Sequence, residues 1–146
     1  MKPIKRPAVV KSILVVDDDP DILEMVVQVL QTEGYEVVAA RNPEEFQTAF
    51  DTSPLPHLVL LDIRMPSRDG FGLASDVRSK FNIPIIFMTA HDCAKYRLYA
   101  PIAGASDYIQ KPFDPDVLLA AVAKALGAEP QHPTNDWLLG TQSQTV

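Results

Sequence analysis

The chain has 146 residues, 47% of them hydrophobic and 22% charged, which suffices for one domain with its own core and is tight for two. A formal net charge of −6 excludes the basic face with which a domain displaces counterions from nucleic acid, so direct nucleic-acid binding by this domain is not expected. No run approaches the roughly eighteen consecutive apolar residues of a membrane span, and the opening MKPIKRPAVV lacks the apolar core of a signal peptide, so the expectation is a cytoplasmic protein without membrane contact.

In chain order, residues 1–11 form an N-terminal arm whose Lys2, Lys5, Arg6 and Lys11 read as solubilising charges. Short aliphatic runs then alternate with longer amphipathic ones. Ile13–Val16, Tyr35–Ala39, Leu58–Leu61, Ile83–Met88 and Tyr108–Gln110 read as five strands. Three of them are apolar at almost every position instead of alternating, as strands covered on both faces by helices are, which indicates a parallel sheet. Asp19-Pro20, Asn42-Pro43 and Asp114-Pro115 each place an Asx side chain at an N-cap and proline at the first helical position, where its missing N–H is not needed. Glu45, three residues after Asn42, adds a capping-box partner. Helical spacing follows through 22–30, 44–50 and 117–126, and a further helix is expected after Gly70. Repeated β-α units with right-handed crossovers give a doubly wound α/β sheet. Its expected form is five parallel strands in the flavodoxin-like order 2-1-3-4-5, with helices on both faces. The domain is expected over 12–126, and 127–146, which includes Trp137-Leu138-Leu139, reads as a flexible tail or the start of a linker. The single cysteine, Cys93, cannot form an internal disulfide and fits a reducing compartment.

In open α/β sheets ligands bind beyond the carboxyl ends of the strands, at the point where the strand order reverses. The first strand is followed there by Asp17, Asp18 and Asp19, the third by Asp62, the fourth by Thr89 and the fifth by Lys111. Crowded carboxylates repel one another unless a cation sits among them. A hard divalent ion such as Mg2+ suits one or two carboxylates together with waters and a phosphate oxygen, so the crevice reads as a phosphoryl-transfer site. Asp62 is the natural nucleophile, with Lys111 and the Thr89 hydroxyl placed to hold the oxygens on which charge accumulates. Asp19 reads chiefly as the helix cap and Asp69, before Gly70, as a turn residue. His57, His91 and His132 lie too far apart in the pattern to suggest a metal cluster, although His91 stands two positions after Thr89.

The segments VVDDDP (15–20), LLDIRMPSRDG (60–70), MTA (88–90) and GASDYIQKPF (104–113) together resemble the receiver domain of two-component response regulators, over about residues 12–126. The resemblance implies that Asp17 and Asp18 are the metal-binding acidic pair, that Asp62 is both phosphoacceptor and metal ligand, and that Arg64 completes the metal shell through its backbone carbonyl. It further implies that Thr89 is the switch hydroxyl, Tyr108 the switch aromatic and Lys111 the phosphate-pairing lysine, with a cis Lys111-Pro112 bond. The implied phosphoryl donor is a phosphohistidine on a sensor histidine kinase or phosphotransfer protein. The domain would catalyse its own phosphorylation and dephosphorylation without being a turnover enzyme. Phosphorylation would then change the face used for an output domain, an effector protein or a phosphorylation-dependent homodimer.

Two other classes fit less well. An aspartate-nucleophile phosphohydrolase wants a second aspartate two residues after the nucleophile, where this chain has Arg64. A flavodoxin-like nucleotide binder needs a glycine- and hydroxyl-rich loop after the first strand, where the three aspartates would repel phosphate. Within the receiver reading, the alternatives are the receiver part of a longer DNA-binding transcriptional regulator and a phosphate-independent interaction module. Pro101 falls near the end of the helix expected before the fifth strand and would shorten or kink it, at a cost of about 3 kcal/mol inside a helix, which could bring Tyr96 and Tyr99 into an altered partner surface. Arg64 and His91 flank the phosphorylation site and are expected to tune phosphate lifetime.

Overall fold

Apolar continuity at 13–16, 58–61 and 85–88 produces the three strands at the centre of the sheet. In the computed structural model, which describes residues 10–63, 70–89 and 107–127, the element order is β1 (Ser12–Val16), α1 (Pro20–Thr32), β2 (Glu36–Ala40), α2 (Pro43–Thr52), β3 (Leu58–Asp62), α3 (Gly70–Lys80), β4 (Ile85–Thr89), β5 (Asp107–Gln110) and α4 (Pro115–Ala125). All five strands pair in parallel in the order β2-β1-β3-β4-β5. Every residue of β3 and β4 is buried, and in β1 all but Ser12. β2, on the edge, buries only Ala40.

Strand residues alternate between two cores, as a pleat of period two requires. Leu14, Val16, Val59, Leu61, Ile85 and Phe87 face Phe46 of α2 and Leu73, Ala74 and Val77 of α3. Ile13, Val15, Leu58, Leu60, Ile86 and Met88 face Leu23, Val26 and Leu30 of α1 and Leu118 and Val122 of α4. Each fully buried aliphatic side chain contributes roughly 1.5–3 kcal/mol relative to exposure, so the central strands dominate the stability of the sheet.

The helix ends follow from single residues. Asp19 accepts from the N–H groups of Asp21 (2.9 Å) and Ile22 (3.4 Å), and Asn42 accepts from that of Glu45 (2.8 Å). The Glu45 carboxylate does not close the expected box on the cap residue. It accepts instead from the Arg41 N–H at 2.8 Å, one residue earlier, because the Arg41 guanidinium also grips it at 2.9 Å. Asp114 occupies the cap position of α4 without a side-chain cap bond. Its backbone carbonyl takes the N–H groups of both Val117 and Leu118, so the donor that a cap would satisfy is already used. α1 ends at Gly34, whose φ of 101° only glycine adopts readily, with Gly34 N–H to Gln31 O and Tyr35 N–H to Leu30 O closing a Schellman turn. β4 starts two residues later than its apolar run because Pro84 has no N–H, while the Pro84 carbonyl still accepts from Val59. Arg64, Asp69, His91, Cys93, Tyr96, Tyr99, Pro101, His132 and Trp137–Leu139 lie outside the described residues.

Candidate functional site

β1 and β3 are neighbours, and each ends by delivering carboxylates to the same edge of the sheet. The Asp17 N–H bonds the Ala40 carbonyl at 3.1 Å, which holds the chain in line with β2 one step beyond β1. Asp62 is the last residue of β3, opposite Met88 of β4. Carboxylate oxygens of Asp17, Asp18 and Asp62 all lie within 4.8 Å of one another, with Asp17 and Asp62 buried and Asp18 exposed.

Asp17 is the most constrained of the three. It is 0% exposed, and its Oδ1 accepts the Asp19 N–H at 2.9 Å, a bond between residues i and i+2 that fixes the carboxylate's direction. Its Oδ2 has no hydrogen-bond partner and lies against the Lys111 ammonium at 2.5 Å. The same Nζ stands 3.6 Å from Asp62 Oδ2. Lys111 is anchored at its base, since its N–H donates to the Thr89 carbonyl at 2.6 Å and a cis bond joins it to Pro112. Thr89, 1% exposed, ends β4. Tyr108 in β5 pairs in register with Phe87 and packs, half-buried, on the core beneath.

Six of the seven site residues expected from the sequence are therefore described at the carboxyl edge or on the strand leading to it, and Arg64 lies outside the described residues. His57 sits at the other end of the sheet, where its Nδ1 accepts the Ser12 N–H at 3.0 Å. Two features are additions to the sequence reading. The Asp19 N–H orients Asp17 as well as Asp19 capping α1, and Lys111 meets Asp17 before Asp62. A tight DDxP turn carries the first signal, whereas nothing local to Lys111 carries the second.

The donor set suits a hard dication. It is all oxygen, it opposes three carboxylates with one ammonium, and the buried Asp17 Oδ2, lacking a hydrogen bond, points among the other carboxylates. Low local dielectric makes an uncompensated negative charge costly here. The arrangement can thus bind a small cation and present the Asp62 carboxylate beside it.

A five-stranded 2-1-3-4-5 sheet with an acidic cluster at its switch point, in place of a glycine-rich phosphate loop, defines a flavodoxin-like signalling domain. The chain belongs to the response regulator receiver domain family, whose model matches residues 13–123. It is 40% identical over 124 residues to the "Probable transcriptional regulator ycf27" of Cyanophora paradoxa, covering 85% of this chain and 51% of that protein. The chain spans about half the length of the curated relatives it matches. Among solved structures it is similar to a CheY-like response regulator receiver domain protein from Methanospirillum hungatei, with 32% identity and a TM-score of 0.75 over 81% of this chain and 94% of that one. It is also similar to the response regulator DrrB of Thermotoga maritima, an OmpR/PhoB homologue, with 31% identity and a TM-score of 0.74 over 82% of this chain and 54% of that one.

Proposed function

We propose that Asp62 is the phosphoacceptor of this receiver domain, within a domain spanning 12–126 flanked by an arm (1–11) and a tail or linker (127–146). The observation that carries the reading is the meeting of Asp17, Asp18 and Asp62 with Lys111 at one strand edge. An Asp62 oxygen attacks the phosphorus of a phosphohistidine on a sensor kinase or phosphotransfer protein. As the O–P bond forms, the P–N bond breaks and its electron pair returns to the imidazole, leaving an aspartyl phosphate. Asp17, Asp18, Asp62 and the Arg64 carbonyl would hold Mg2+, which neutralises charge on the phosphoryl oxygens when bound. Lys111 pairs with one of those oxygens and the Thr89 hydroxyl donates to another.

The new group adds about −1.5 to −2 charges at the end of β3. Thr89 gains an acceptor on that side, and Tyr108, on the neighbouring strand, follows it toward the core. The phosphate thereby favours one of two arrangements of the β4–β5 edge, and that edge presents the surface that partners read. The protein works in the cytoplasm, is phosphorylated and dephosphorylated on its own catalytic groups, and does not turn over a free substrate. The half-length match to ycf27 and DrrB supports a reading in which the output is transcription. A DNA-binding segment encoded beyond Val146 in the native gene would support an attached output, and a stop codon there would overturn it.

The decisive experiment is incubation of the chain with a small acyl phosphate and Mg2+, followed by intact mass measurement. Wild type is expected to gain one phosphoryl group and Asp62→Asn none. Wild type that stays unmodified under excess donor defeats the proposal.

A further inference from the structure

The ammonium of Lys111 stands closer to Asp17 than to Asp62, and this difference carries a consequence for metal binding. Asp17 Oδ1 is committed to the Asp19 N–H, so Oδ2 is the oxygen available to a cation, and Lys111 lies on it. An ammonium and a dication in contact with the same oxygen would be only a few ångströms apart and would repel strongly in a site this buried. Lys111 has somewhere to go. Its backbone is held by the Thr89 carbonyl, its stem is long, and Asp62 Oδ2 is already 3.6 Å from Nζ.

We propose that Lys111 is a resident counter-ion of Asp17 that a divalent metal displaces toward Asp62, so that the metal and the lysine–Asp17 pair are competitive. This rests on the phosphoacceptor reading and adds an order to it: metal entry releases Lys111 from Asp17 and brings it to the carboxylate that receives the phosphoryl group. Metal affinity is then set partly by the lysine that the metal evicts. The pairing also explains how a carboxylate buried as completely as Asp17 retains its charge without the metal.

The test measures binding of Mn2+ and Mg2+ to the full chain, independently of phosphorylation. Lys111→Met, which removes the ammonium and keeps most of the stem, is expected to bind Mn2+ roughly tenfold more tightly than wild type by electron paramagnetic resonance titration, the size of a typical coupling between two ligands. Lys111→Arg, which keeps the charge, should remain near wild type. Should Lys111→Met not fold, wild type alone suffices: the Lys111 side-chain NMR signals should shift with Mg2+ at the midpoint of metal binding. Unchanged or weaker affinity in Lys111→Met, tightening in Lys111→Arg equal to that in Lys111→Met, or Lys111 signals indifferent to Mg2+ would overturn the inference and leave a positive acyl phosphate result standing. Absence of metal binding in every variant overturns this inference and the metal part of the functional reading together.

Discussion

Asn42 and Glu45 bind the first turn of α2 from opposite directions, and their contributions separate experimentally. The Asn42 side chain satisfies the Glu45 N–H, so Asn42→Ala should destabilise the domain by about 1 kcal/mol in urea denaturation. Glu45 acts through charge. Hydrogen bonds from the Arg41 side chain, then from the Arg41 backbone N–H, hold its carboxyl below the usual carboxylate range, while the small burial works the other way. A carboxyl whose pKa is lowered on folding adds stability that is fully present above its unfolded pKa and is lost as pH falls through the folded value. The acid side of the stability profile should therefore flatten in Glu45→Gln, within the window beneath an ordinary glutamate pKa. Equal slopes for wild type and variant would show that the Arg41 grip is idle in solution. Arg41 and Glu45 are four apart and suited to pairing, yet the sequence pointed Glu45 to Asn42, because spacing does not reveal which donor a side chain chooses when two N–H groups are within reach.

Among the elements, stability follows burial, which makes the sheet uneven. Leu60 in β3 and Ile86 in β4 are fully buried between the sheet and the α1–α4 layer, and truncation of either to alanine should cost about 2–5 kcal/mol. Val38 in the edge strand β2 is 39% exposed, and Val38→Thr should change stability by no more than about 0.5 kcal/mol. Comparable losses at Leu60 and Val38 would contradict the core described here. The central strands were legible because residues buried on both faces must be apolar in succession, and the starts of α1 and α2 because Asx-Pro pairs have few other uses. Boundaries were less so. β4 starts late because Pro84 lacks a donor, and Asp114 stands at a cap without capping because a backbone carbonyl reached the donor first. At the site, Asp17, Asp18, Asp62, Thr89 and Lys111 could be gathered from the sequence, since strand order alone takes strand ends to one edge. The closer pairing of Lys111 with Asp17 could not, because it depends on distances between residues 94 positions apart that no local pattern encodes.

For the molecule as a whole, the site opposes the fold: an apolar two-layered core ends in a group of carboxylates that repel one another at the edge where β1 and β3 meet. Any ion that binds the folded arrangement and not the unfolded chain stabilises the domain by mass action, by about 2.7 kcal/mol at a hundredfold excess over its dissociation constant. For a domain of this size that raises Tm by about 10 °C. Mg2+ should accordingly raise Tm in proportion to the logarithm of its concentration once the site is nearly saturated. Asp18 is the carboxylate with which to test the cause, because it is exposed and the described ion pairs of Lys111 are with Asp17 and Asp62. In Asp18→Asn with chelator, repulsion falls while the Lys111 pairs persist, so Tm should equal or slightly exceed that of wild type. With Mg2+ the wild-type increase should shrink to a small residue, because one ligand oxygen has lost its charge. Thermal denaturation of both proteins across a Mg2+ series checks this, and an equal rise in wild type and Asp18→Asn would mean that the ion stabilises the chain somewhere other than at this edge.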